Sequence, residues 1–96
     1  MYTPEKNIER KYVNYAKQLD CLALKFSPEG AAGYPDRVTF VQGGYAFFIE
    51  FKAKGKKPTA LQEKRHAELR AMGFDVYVCD NLESAKELLN SKVNGD

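Results

Sequence analysis

Asp36, behind Pro35, and the triplet Glu50-Phe51-Lys52 after thirteen intervening residues combine two carboxylates with an ammonium group. That set suits hydrolysis of a phosphodiester. The ester is an anion that repels nucleophiles, so cleaving it calls for a divalent cation to neutralise developing charge and deliver hydroxide near neutral pH. Hard cations such as Mg²⁺ take carboxylate and carbonyl oxygens. Whether the groups meet depends on the elements that carry them.

Residues 45–53 are rich in aromatic and β-branched side chains and predict a strand whose period of two puts Glu50 and Lys52 on one face. Residues 38–41 predict a second strand, and Gln42-Gly43-Gly44 between them holds the glycines a tight hairpin requires. Register is then decisive. A two-residue Gly43-Gly44 loop would set Asp36 opposite Phe51, facing away from Glu50. A three-residue loop, with Gly44 in the left-handed bulge position, pairs Val38 with Phe48 and Phe40 with Ala46, and sets Asp36 opposite Glu50. Opposed Cβ atoms lie about 5 Å apart, close enough for two carboxylates to share a cation. The three-residue loop is therefore expected.

Taken separately, each half has a plain reading. Pro-Asp opens turns, and Glu-x-Lys on a strand is commonly an exposed ion pair worth under about 1 kcal/mol. A strand as apolar as residues 45–51, however, is expected to be buried on both faces, where unpaired charge is costly and a metal would relieve the cost.

The remaining elements follow from caps and periodicity. Thr3-Pro4 opens a helix with a stripe of Ile8, Tyr12, Tyr15 and Leu19, which Glu9 flanks one turn beyond Glu5. Residues 21–26 alternate as a strand, and residues 27–34 form a loop of small residues able to move over a substrate. Thr59-Ala60-Leu61-Gln62 is a capping box opening a helix to about Met72, with Gly73 as its stop. The box alone explains Gln62; the alternative puts its amide beside a metal or a phosphate. His66, the only histidine, has no second nucleophile or triad partner in view and is expected at the surface or facing DNA. Residues 74–79 predict a fourth strand, and Asp80 or Asn81 caps a helix to about Leu89, after which residues 91–96 should fray. The order α-β-β-β-α-β-α, with a crossover between the third and fourth strands, predicts an α/β fold with a mixed sheet flanked by helices.

The 96 residues fit a single domain with its core at about 4–90. No apolar run approaches the ~20 residues of a membrane helix, and no signal peptide is visible. Cys21 and Cys79 lack metal-site or disulfide spacing, which fits a reducing cytoplasm. The net charge of +2 hides a local excess of +5 between Lys52 and Arg70, the electrostatic footprint expected for a phosphate backbone just beyond the acidic pair.

Ile8-Glu9, the run Gly33-Tyr34-Pro35-Asp36-Arg37, Phe48-Ile49-Glu50-Phe51-Lys52-Ala53, Pro58-Thr59 with Gln62, and Gly73-Phe74 together resemble the VRR-NUC domain of the PD-(D/E)XK nuclease superfamily, in the free-standing form of phages and bacteria. The resemblance spans roughly residues 4–90 and implies a restriction-endonuclease-like core. It implies that Asp36, Glu50 and the backbone carbonyl of Phe51 hold Mg²⁺ or Mn²⁺, and that Lys52 orients or deprotonates the attacking water. Glu9 matches the helix-one acid of the related archaeal Holliday-junction resolvases, acting directly or through water, with Glu5 as its rival. Gln62 matches the glutamine that follows the active-site strand. Lys25, Arg37, Lys54, Lys56, Lys57, Lys64 and Arg65 would contact DNA. The expected activity is a metal-dependent endodeoxyribonuclease, selective for branched DNA, working as a homodimer in the cytoplasm (the host's, if phage-encoded). A non-catalytic DNA-binding module on the same fold is the alternative.

Overall fold

Gln42, Gly43 and Gly44 make a three-residue hairpin loop in which both glycines take positive φ, 96° and 88°. This computed structural model describes residues 3–95. Around the loop, β2 (Arg37–Val41) and β3 (Tyr45–Phe51) pair with Val38 opposite Phe48 and Phe40 opposite Ala46, the register expected from the longer loop. β1 (Leu22–Lys25) pairs antiparallel with β2, and β4 (Val76–Cys79) pairs parallel with β3, so the sheet order is β1-β2-β3-β4. The parallel pair needs a crossover, which α2 (Ala60–Ala71) provides between β3 and β4.

Helices α1 (Pro4–Gln18) and α3 (Leu82–Val93) close one face of the sheet. Thr3 caps α1 by accepting the Lys6 N–H, and Pro4 occupies the first turn, where a missing N–H costs nothing. The core joins Tyr12 and Ala16 of α1, Phe47, Ile49 and Phe51 of β3, and Ala85 and Leu89 of α3. The Tyr12 hydroxyl is satisfied inside it by Thr39 Oγ1 at 2.7 Å, as a buried phenol requires. The buried stripe of α1 is Glu9, Tyr12 and Ala16; Ile8, Tyr15 and Leu19 are only partly buried. The helix is thus rotated to bring Glu9 inward from the flank assigned by the periodicity.

The opposite face is covered only at one end. α2 lies over β4 and the end of β3, burying His66 and Leu69, while Leu22, Leu24, Phe40 and Phe74 are 58%, 49%, 45% and 50% exposed. The expected helix end is corrected here: α3 continues to Val93, past the end near Leu89. Its last turns are held by the Tyr15 hydroxyl donating to Asn90 at 2.6 Å and by the Lys92 ammonium over the rings of Tyr77 and Tyr45. Cys21 and Cys79 are buried free thiols.

Candidate active site

Asp36 lies in the bend just before β2, one residue outside the ladder. Its carbonyl accepts the Phe26 N–H at 2.9 Å, and its Oδ2 accepts the Phe51 N–H at 2.8 Å, so the side chain itself reaches across to β3. Glu50, the penultimate residue of β3, is 3% exposed. The two carboxylates line one cavity of about 520 Å³ with Lys52, Glu9, Lys6 and Glu5.

Lys52 follows β3 directly, with Nζ 3.7 Å from Glu50 Oε2. Gln62 joins these groups. Its Oε1 accepts from Lys52 Nζ at 2.7 Å and from the Thr59 N–H at 2.9 Å, and its Nε2 donates to Glu50 Oε2 at 3.3 Å. The Thr59 N–H bond completes the capping box of α2, so one amide serves both the helix cap and the acid-lysine pair. The capping box expected from the sequence is present, and the same amide stands beside Glu50 and Lys52.

Burial pushes the Glu50 carboxyl up to about 7, with the negative charge of Asp36 adding to the shift and Lys52 opposing it. Asp36 is raised too, chiefly by burial, against the lowering effect of the Phe51 N–H. The charge of Asp36 thus disfavours the ionised form of its desolvated neighbour Glu50. In addition, Glu50 Oε1 is buried without a hydrogen-bond partner. A hard cation would answer all three features, and the donor set, carboxylate and main-chain oxygen, is the kind Mg²⁺ and Mn²⁺ take.

His66 corrects an expectation. It is 1% exposed, not at the surface, because it stands one turn beyond Gln62 on the face of α2 that packs on the sheet. Its Nε2 also has no hydrogen-bond partner and lies 3.8 Å from Glu50 Oε1. Burial, then the nearby Arg70, lower its pKa.

The helix-one acids divide. Glu9 is 4% exposed and its Oε2 accepts from Arg37 Nε at 2.7 Å, with Lys6 Nζ 3.5 Å from Oε1. Glu5 is half-buried on the same cavity wall. Among the described residues, no group of three or more His, Cys, Asp or Glu side chains could hold a metal; Glu9 is matched by its two cations.

The expected DNA contacts separate into four sets. Lys56 and Lys57 are exposed and line the acidic cavity, whereas Lys54 and Lys64 are exposed outside it. Lys25 is exposed on a neighbouring groove of about 270 Å³ with Lys6, Arg10 and Arg37. Arg37, however, is committed inward to Glu9 and the Ala23 carbonyl. Arg65 is likewise engaged, with the Ala32 carbonyl at 3.1 Å, Glu68, and the Tyr34 ring. These contacts pin the 27–34 loop to α2. Gly33 has φ +88°, and a Cβ there would stand 2.7 Å from Leu61 Cγ, so the loop is docked where the sequence suggested a mobile cover. Lys6 and Arg10 were missed as groove residues, although their spacing of four on one helix face is legible.

A mixed sheet whose central hairpin brings an Asp and a Glu-x-Lys to one cavity defines the PD-(D/E)XK class. "Putative nuclease p44" of Acyrthosiphon pisum secondary endosymbiont phage 1 is 39% identical to this chain over 77 residues, which cover 80% of this chain and 83% of that protein. A solved structure described as a VRR_NUC domain superposes with a TM-score of 0.86 at 27% identity, covering 93% of this chain and 97% of its own. Another, a VRR_NUC domain protein, shares the fold with a TM-score of 0.73 at 20% identity, covering 98% and 91%. No protein-family model matches. The chain belongs to the VRR-NUC domain family.

Proposed function

We propose that this protein is a Mg²⁺- or Mn²⁺-dependent endodeoxyribonuclease acting on branched DNA such as four-way junctions, as a homodimer. The observation that carries the reading is the convergence of Asp36 and Glu50 on one cavity beside Lys52. Asp36, Glu50 and the Phe51 carbonyl would hold the metal. When bound, such an ion supplies positive charge to the phosphoryl oxygens and makes a water acidic enough to attack near neutral pH. Lys52, steadied by Gln62, orients that water and stabilises charge developing at phosphorus. Glu9 acts on the metal side only through water, since Arg37 and Lys6 take its oxygens.

Lys6, Lys56 and Lys57 on the cavity, with Lys25 on the neighbouring groove that shares Lys6, suit a phosphate backbone passing over the site. They touch phosphate and not base edges, so binding is independent of sequence and falls steeply with salt. The homodimer is supported by the exposed apolar side chains Leu22, Leu24, Phe40 and Phe74 on the open face of the sheet, the kind of surface that marks protein–protein contact when it is contiguous. A second copy seated there would give two cavities, one for each of two strands of a four-way junction. No helix among the described residues is long and apolar enough to cross a membrane, and the proposed place of action is the cytoplasm, the host's if the chain is phage-encoded.

The test is incubation of four-way, flap and linear DNA with Mg²⁺, Mn²⁺ or EDTA, beside Asp36→Asn and Lys52→Ala proteins. Metal-dependent cleavage by the wild type alone, fastest on the four-way junction, is expected. Cleavage surviving both substitutions overturns the mechanism, and DNA binding without cleavage under every metal condition favours the non-catalytic module. Sedimentation of the wild type as a dimer, and of Phe40→Asp as a monomer, checks the assembly.

A further inference from the structure

We infer that His66 is a positioning residue for the metal-binding carboxylate, its Nε2–H donating to Glu50 Oε1. The inference rests on the metal-site reading given above and concerns a residue outside the Asp-Glu-Lys set.

Among the described residues, two buried side-chain polar atoms lack hydrogen-bond partners, Glu50 Oε1 and His66 Nε2, and they lie 3.8 Å apart. An unpaired buried donor or acceptor costs about 1–3 kcal/mol, and a shift of under about 1 Å would bring this pair to hydrogen-bonding distance. Among the described residues, no other hydrogen-bond partner reaches either atom. The neutral imidazole with its proton on Nε2 satisfies both at once, and it does so without placing a second positive charge beside Lys52.

The helix explains the arrangement. Gln62 and His66 are four residues apart on α2, so they stand one above the other on the face toward the sheet. Gln62 donates to Glu50 Oε2, and His66 faces Oε1. Successive turns of α2 therefore address the two oxygens of one carboxylate. Fixing both oxygens sets the plane of the carboxylate, while each oxygen keeps a lone pair for a cation on the Asp36 side. Groups that orient metal-binding carboxylates in this way typically contribute 10–100-fold in metal affinity or activity.

The measurement is Mn²⁺ affinity by titration calorimetry on wild-type, His66→Leu and His66→Gln proteins, with melting temperatures taken in EDTA. The leucine variant, of similar volume but without a donor, should bind Mn²⁺ at least about tenfold more weakly while melting no lower than wild type in EDTA. The glutamine variant, which can donate, should recover most of that loss. Unchanged Mn²⁺ affinity in His66→Leu overturns the inference, as does a lowered EDTA melting temperature with unchanged affinity, which would make His66 structural only. Should neither variant fold, Mn²⁺-soaked wild-type crystals decide the matter. Contact at or below about 3.2 Å supports the role, and an unclosed 3.8 Å gap removes it. A wild type that binds no Mn²⁺ overturns the metal-site reading and this inference together, whereas normal wild-type binding with an unaffected leucine variant overturns this one alone.

Discussion

Glu9 Oε2 accepts the Nε–H of Arg37 at 2.7 Å, and the same guanidinium donates to the Ala23 carbonyl at 3.0 Å, so one side chain ties α1, β1 and β2 together beside Asp36. Removing one partner of a buried ion pair leaves the other charge desolvated and alone, a loss of about 3–5 kcal/mol when burial is complete. Arg37 is about one-fifth exposed and Lys6 remains near Glu9, so Arg37→Ala should destabilise the fold by roughly 2–3 kcal/mol in urea titration. The salt slope of DNA binding should barely change. A stable Arg37→Ala protein with a shallower slope would return Arg37 to the DNA-contacting group.

Much of this site was legible in the chain because its parts are local. Glycines at 43 and 44 admit a loop that apolar pairing across the hairpin then selects, and the resulting register carries Asp36 toward Glu50. The Thr59–Gln62 box announced α2 at its first turn. What escaped were outcomes of packing. His66 reads as one polar residue on a helix of weak amphipathic pattern, and only the way α2 settles over β3 and β4 makes it the neighbour of Glu50. Arg37 and Arg65 carry contacts that spacing does not reveal, one guanidinium on the Ala23 carbonyl and the other on the Ala32 carbonyl. The last turn of α3 passes the end expected near Leu89, where Asn90 and Lys92 find partners in Tyr15 and Tyr77 that no local pattern announces.

The raised carboxyl of Glu50 carries a pH signature. Its folded-state value of about 7 exceeds the ordinary 4.5, so between these values the native chain binds more protons than the unfolded one, and stability falls as pH rises. Asp36 shifts in the same direction. The metal-free protein should melt several degrees lower at pH 8 than at pH 5.5, and Glu50→Gln should abolish most of the difference by stabilising the protein at pH 8. Because the metal requires ionised carboxylates, Mn²⁺ should raise the melting temperature more at pH 8 than at pH 5.5. A metal-free protein equally stable at both pH values would contradict this account.

Lys52 and Gln62 act as one unit, the ammonium held at 2.7 Å by an amide that also bonds Glu50. Loss of an oriented charge-stabilising group typically costs 10²–10³ in rate. Lys52→Ala should therefore lower single-turnover cleavage by about that factor, and Gln62→Ala by about tenfold. The double variant should fall below Lys52→Ala by less than Gln62→Ala alone loses, since an amide cannot orient an ammonium that is absent and only its bond to Glu50 remains to be lost. Multiplicative losses would show that Gln62 works independently of Lys52.

Lys56 and Lys57 differ from Lys54 and Lys64 in place and not in charge. The first pair lines the cavity that holds Asp36 and Glu50, while the second pair stands exposed outside it. A lysine that neutralises a phosphate releases counterions from DNA, and each such contact contributes about 0.9 to the slope of log affinity against log salt. Replacing Lys56 and Lys57 with alanine should flatten that slope by nearly 2, weakening junction binding in EDTA by a similar factor for every DNA sequence tried. The same double replacement at Lys54 and Lys64 should change the slope by less than half as much. If the outer pair proves dominant, the backbone runs along the exposed faces of the 54–57 loop and α2 and does not descend into the cavity, and the acidic pair would have no scissile phosphate within reach.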